Sequence, residues 1–162
     1  RFNFRGVGAS TGAHDGGAGE ERDVEAALTH LRGLMGPAAQ LALIGYSFGA
    51  TVSARLAGRQ GTEPALAGLA LVAPPMALVG DEPFLALDRF PAPLLIVAGS
   101  RDEHCPAEGL ERLTRRLPNA AVSLIAGANH FFLGKLFPLG EAVGGWVRRL
   151  QARETARGSS PG

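Results

Sequence analysis

Three residues of this sequence, Ser47, Asp102 and His130, have side chains that together can cleave a carbonyl compound, and each follows a short apolar run. Ser47 is the centre of Gly45-Tyr46-Ser47-Phe48-Gly49, directly after Leu41-Ala42-Leu43-Ile44. A strand that turns at once into a helix strains its central residue and lifts the hydroxyl clear of the sheet. The flanking glycines give the turn room, and the helix N-terminus, with the Phe48 N–H, points to where an oxyanion would form. Asp102 follows Leu94-Leu95-Ile96-Val97, and His130 follows Val122-Ser123-Leu124-Ile125. A carboxylate that orients an imidazole, which in turn deprotonates a serine, is the minimum set for nucleophilic attack on an acyl carbon. Each residue also has a plain structural reading: a Gly/Ser turn, a helix cap, a half-buried histidine. Glu103, Asp81 and Asp88 are weaker substitutes for Asp102. The conjunction decides, because all three residues fall at carboxyl ends of different strands.

The elements that position them follow from periodicity. From Gly19, Val24, Ala27, Leu28, Leu31 and Leu34 recur at helical spacing, with Glu20, Glu21 and Asp23 at the positive end and Gly36-Pro37 as the stop. Residues 48–57, 107–117 and 140–152 read as further helices, the second with Leu110, Leu113 and Leu117 inward. The runs 41–44, 66–72, 94–97 and 122–125 are wholly or mainly apolar, as strands buried on both faces are. Phe2-Asn3-Phe4-Arg5 reads as a strand end before the glycine-rich loop Gly6–Gly12, and Met76–Phe90 as irregular or one short helix. Buried strands alternating with helices predict an α/β fold, a mostly parallel sheet with helices on both faces, whose ligands sit beyond the strands' carboxyl ends. Residues 1–152 make one partial domain, and 153–162 a disordered tail.

Composition narrows the function classes. The 162 residues are 46% hydrophobic and 19% charged, the balance of a globular core. A net charge of +1 argues against a nucleic-acid partner, and Arg115-Arg116 and Arg148-Arg149 read as solvated helix faces. No apolar run reaches the roughly 20 residues of a membrane span, and the opening Arg1–Arg5 does not read as a leader. Cys105 is the single cysteine, which excludes an internal disulfide and a Cys-based metal site and favours a cytoplasmic setting. His104 has no accompanying metal ligands. The Gly6–Gly12 loop lacks dinucleotide spacing, and no Walker lysine follows it. Neither metal nor organic cofactor is expected. Tyr46, His14 and Phe131 are candidates to line the pocket.

These residues resemble the α/β-hydrolase superfamily, in which the nucleophile, acid and histidine occur in this chain order. More narrowly, Arg1–Ser10 followed by Gly19-Glu20 and Asp23, the elbow Gly45–Gly49, and Asn129-His130-Phe131-Phe132 are similar to a bacterial group of small, lidless serine hydrolases. The resemblance covers nearly all of residues 1–150. It implies Ser47 as nucleophile, His130 as general base and Asp102 as its partner; with Met76–Phe90 the only candidate insertion for a lid, the expected substrate is a small or medium acyl ester or thioester. A peptidase or acyltransferase would use the same residues, and a non-catalytic scaffold is the alternative from another class. In the superfamily, the segment like Phe2–Arg5 is a strand separated from the elbow strand by one more, whose loop brings the second oxyanion donor. No run here supplies that strand. The expectation is a longer hydrolase, or a partner copy that completes the sheet.

Overall fold

The computed structural model describes residues 1–59, 66–118 and 120–158. Four strands, β1 (Leu41–Tyr46), β2 (Leu66–Val72), β3 (Leu94–Gly99) and β4 (Ala121–Ile125), form one parallel sheet in chain order. Among the described residues five α-helices accompany them: α1 (Ala18–Met35), α2 (Phe48–Gly58), α3 (Met76–Val79), α4 (Ala107–Arg116) and α5 (Leu136–Gly158). Because the strands are parallel and in sequence order, every crossover returns the chain to the same edge, and the carboxyl ends of all four strands line up there.

The two inner strands explain their own composition. Leu69, Leu71, Ile96 and Ala98 face one side, against α2, α4 and the buried Phe84 and Leu87 of a 3-10 helix, Glu82–Arg89. Ala70, Val72, Leu95 and Val97 face the other, beneath Trp146 of α5. Strands covered on both faces have no use for polar positions, so their runs are continuously apolar. The segment Met76–Phe90 is thus a short helix and a 3-10 turn packed into the core.

Several expectations are corrected by the geometry. The run Leu41–Ile44 was expected to be buried on both faces, but β1 is an edge strand, with Ile44 47% and Tyr46 44% exposed. The reason is that α5 packs on β2, β3 and β4, leaving that face of β1 bare. Phe2–Arg5 is not a strand. Among the described residues no strand lies beside it, and side chains hold it instead. Phe4 packs edge-on against Phe48, and Arg5 clasps Asp23 of α1, with Nη2–Oδ1 at 2.7 Å and its own N–H on Oδ2 at 3.0 Å. On α1, Val24 and Leu28 are buried but Leu34 is 70% exposed, because only the first turns rest on α2 and β1.

The last helix departs from expectation in the same way. It continues through residues 153–158, placed in the tail by sequence, because Ala152, Arg153 and Ala156 favour helix and no breaker precedes Gly158. Pro138 is tolerated in its first turn. Residues 159–162 lie outside the described residues. Among the described residues no helix is long and apolar enough to cross a membrane.

Candidate active site

The elbow between β1 and α2 is built as its residue types require. Ser47 has φ 52° and ψ −119°, a conformation that costs a non-glycine residue about 1–3 kcal/mol. The turn is held by the Ser47 N–H, which donates to the Val72 carbonyl at 2.9 Å, and by the burial of α2 behind it. Of the flanking glycines, Gly45 is the one that cannot change. A side chain there would run into the Gly49 carbonyl and the Ser53 hydroxyl, whereas at Gly49 it would meet only the Phe4 ring, at 3.8 Å. Phe48 heads α2, where the first N–H groups of a helix have no intrahelical acceptor and its positive dipole end lies.

The second and third residues come from the far side of the sheet. At the end of β3, Gly99 lies so close to Ala128 that any side chain would collide with it, and the Arg101 N–H donates to the Ala128 carbonyl at 2.9 Å. This contact joins the loop after β3 to the loop after β4. The latter is anchored by the Phe132 ring, 1% exposed, whose backbone has φ 52°. Its residue His130 is thereby brought over Asp102.

The three side chains meet in one line. Ser47 Oγ lies 2.8 Å from His130 Nε2, and His130 Nδ1 lies 3.0 Å from both Asp102 oxygens. An imidazole nitrogen set between two carboxylate oxygens must be the protonated one. Nε2 is therefore left to accept from the serine hydroxyl. Asp102 has a fully buried side chain, and its Oδ1 also accepts the backbone N–H groups of His104 (2.9 Å) and Cys105 (3.2 Å). The His130 ring is edge-packed by His104 at 4.7 Å and by Phe131 at 5.5 Å. The substitutes for Asp102 are placed elsewhere. Asp81 binds Arg112 at 3.0 Å, while Asp88 and Glu103 are exposed. Burial, reinforced by the negative Asp102, pushes the Cys105 thiol up to about 12, so it is no competing nucleophile.

A cavity of about 450 Å³ begins at Ser47 and follows the free edge of β1, lined by Phe2, Phe4, Leu43, Ile44 and Tyr46 together with Phe48. Tyr46 is among its lining residues. His14 and Phe131 do not line it. His14 is turned away because its Nδ1 sits 2.8 Å from Glu20, with its ring against Phe48, and Phe131 stands out in solvent at 64% exposure. Among the described residues no group of three or more His, Cys, Asp or Glu is gathered as a metal site would need.

Glu20, a first-turn charge and one of the residues carrying the family resemblance, also holds the loop before α1. Its carboxylate is wholly buried and accepts the N–H groups of Asp15 (2.9 Å) and Gly17 (2.8 Å), which ties the glycine-rich loop beside Phe48. Burial pushes its pKa up, but those N–H donors, its own backbone N–H and the His14 imidazole outweigh that and hold it below the ordinary value. Asp23 is held low chiefly by its hydrogen bonds from Arg5. A depressed carboxylate stabilises the fold above its unfolded pKa and loses that contribution as pH falls through its folded one. Thermal midpoints should therefore hold near neutrality and fall below about pH 4. Glu20→Gln, which sets an amide N–H against backbone donors, should lower the midpoint at pH 7 by about 3–8 °C. An unchanged melt would show that the buried carboxylate contributes nothing.

Comparison with known proteins shows the family. The dienelactone hydrolase family matches residues 15–142. An uncharacterized protein of Rickettsia prowazekii is 32% identical over 158 residues, covering 94% of this chain and 65% of its own length. Among solved structures, an α/β serine hydrolase homologue from Coxiella burnetii is 38% identical with a TM-score of 0.76, covering 87% of this chain and 64% of that one. An α/β serine hydrolase without lid from Xanthomonas campestris is 34% identical, also with a TM-score of 0.76, covering 92% of this chain and 65% of that one. The chain thus spans about two-thirds of the length of these relatives. With the family match extending across the elbow, the Asp102 loop and the His130 loop, this chain belongs to the dienelactone hydrolase family.

Proposed function

We propose that this site hydrolyses carboxylic esters or thioesters through an acyl-enzyme on Ser47. The observation that carries the reading is the unbroken line Asp102–His130–Ser47, with hydrogen-bond distances of 3.0 and 2.8 Å. His130 Nε2 takes the Ser47 proton as Oγ attacks the acyl carbon, then gives it to the departing alkoxide or thiolate. Water repeats the sequence on the acyl-enzyme, and Oγ recovers its proton. The Phe48 N–H receives the oxyanion. Asp102 stabilises the imidazolium and fixes its tautomer. A matching family named for hydrolysis of a lactone, a cyclic ester, supports the same bond type. The lone buried cysteine suits a reducing compartment, and the cytoplasm is the proposed setting.

One half of the oxyanion site is the helix head, and the bare edge of β1 lies beside it. The proposal includes a further strand paired to that edge, from a longer polypeptide, bringing the second donor. The greater length of the relatives supports this. A fluorophosphonate probe, with the adduct located by peptide mass, tests both parts. The expected label is on Ser47, and it should form about 10²–10³ times faster in a polypeptide that carries the extra strand. A well-folded chain that takes no label, with or without the extension, would favour the scaffold reading and end this one. Equal rates would remove the added strand's role in the oxyanion site.

A further inference from the structure

Tyr46 makes a bond that the reaction does not use. Its hydroxyl donates to the backbone carbonyl of His130 at 3.0 Å, and its ring lies 5.6 Å from the imidazole, tilted by 34°. The acceptor is the main chain of the loop, so no proton of the reaction passes through this contact. The topology shows what it does. His130 follows β4 and Ser47 follows β1, at opposite edges of a four-stranded sheet, so the His130 loop must reach across two strands. At neighbouring strand spacings of roughly 4.8 Å, that is a span of about 14 Å. The loop is pinned to the β3 end by the Arg101 and Ala128 contact and by Gly127 N–H on Ser100 Oγ at 2.8 Å. At the β1 end two hydrogen bonds hold it, one from Ser47 Oγ to the imidazole and one from Tyr46 to the carbonyl.

These two bonds have different lifetimes in the reaction. Before attack both are present. Once Ser47 Oγ has displaced the leaving group and is joined to the acyl carbon, it carries no proton and cannot donate to Nε2. The Tyr46 bond persists at that stage. We propose that Tyr46 is a positioning residue for deacylation, holding His130 at the β1 end while Ser47 is acylated and a water molecule must be deprotonated by Nε2. Water oxygen then bonds to the acyl carbon, its proton passes to Nε2, and the C–Oγ bond breaks as Oγ takes that proton back. Burial, with the charge of Asp102, raises the Tyr46 pKa, which keeps the phenol a donor at working pH.

This inference rests on the acyl-enzyme reading above, and its test separates the two. Wild type and Tyr46→Phe are compared with p-nitrophenyl acetate by stopped flow, which resolves the burst (acylation) from the steady state (deacylation). Tyr46→Phe should leave the burst rate and the fluorophosphonate labelling rate within about threefold. Deacylation should slow about 5- to 10-fold, as loss of one neutral hydrogen bond implies, and the burst amplitude should rise toward one per chain. A parallel fall of both rates would mark general loosening and overturn the proposal, as would no change in either. Wild type that neither bursts nor labels would overturn the acyl-enzyme reading itself. A second readout covers a variant that folds poorly. In wild type phosphonylated on Ser47, the imidazole Nδ1–H should give a protected downfield proton signal that is lost in phosphonylated Tyr46→Phe, and retention of the signal in both would count against the role.

Discussion

Ser47→Ala, His130→Ala and the double replacement should each lower kcat for a chromogenic acyl ester by about the same factor, of the order of 10⁴–10⁶. The equality carries the argument. Ser47 Oγ is a weak nucleophile until its proton has somewhere to go, and the 2.8 Å bond to Nε2 supplies that place. With the imidazole gone the hydroxyl does not attack, and with the hydroxyl gone the imidazole has nothing to activate. The second removal therefore finds nothing left to lose. The residual rate should come from the helix head at Phe48 and from the apolar lining of the cavity, which neither replacement touches. Stability should change little for Ser47→Ala, since alanine keeps the same Cβ and so the same φ 52° strain, and the replacement loses only a single hydrogen bond. Initial rates, normalised to sites titrated in wild type and to folded protein in the variants, measure this. Losses that multiply across the double mutant would show two residues acting apart, and a Ser47→Ala chain with near-normal turnover would end the nucleophile assignment.

Placement of these residues was legible because a parallel sheet leaves little choice. Strands such as Leu66–Val72 and Leu94–Gly99 announce themselves by being apolar at every position, and their carboxyl ends must share one edge. A serine, an aspartate and a histidine just past three such ends share that edge of the sheet, and the loops must bring them together. The edge strand was harder. Leu41–Tyr46 has the composition of a fully covered strand, and sequence does not say that α5 stops at β2. The same edge explains Phe2–Arg5, whose alternation fits a strand but which has no neighbour to pair with among the described residues and is held instead by Phe48 and Asp23. Tyr46 was read as a pocket residue from its position alone. Its bond to a carbonyl 84 residues away depends on how far the His130 loop reaches across the sheet, and no local pattern encodes that. Glu20 is legible as a first-turn charge and as part of a family-like pattern, but its burial is not, because that depends on the path of the loop before it.

Asp102→Asn should cost about 10⁴ in kcat while leaving the melting temperature close to wild type, and the local hydrogen bonds say why. An asparagine must choose which end of its amide faces which partner. Oδ1 already accepts the His104 and Cys105 backbone N–H groups at 2.9 and 3.2 Å. An NH₂ group in that place would set donor against donor inside a fully buried site, so the amide oxygen takes it. The NH₂ then occupies the position of Oδ2, 3.0 Å from His130 Nδ1, while the amide oxygen, also 3.0 Å from Nδ1, is already engaged by two backbone donors. Facing a donor, Nδ1 gives up its proton and accepts, which moves the ring proton to Nε2. An Nε2 that carries a proton cannot take one from Ser47, so the serine is unactivated although every heavy atom is near its wild-type position. Asp102→Ala should differ in kind. It strands two buried backbone donors as well as the imidazole, and so should lose stability along with rate. Steady-state kinetics with thermal melts on both variants distinguishes these outcomes. If Asp102→Asn kept a tenth or more of wild-type turnover, the carboxylate would not be selecting the tautomer, and the buried backbone bonds would be its whole function.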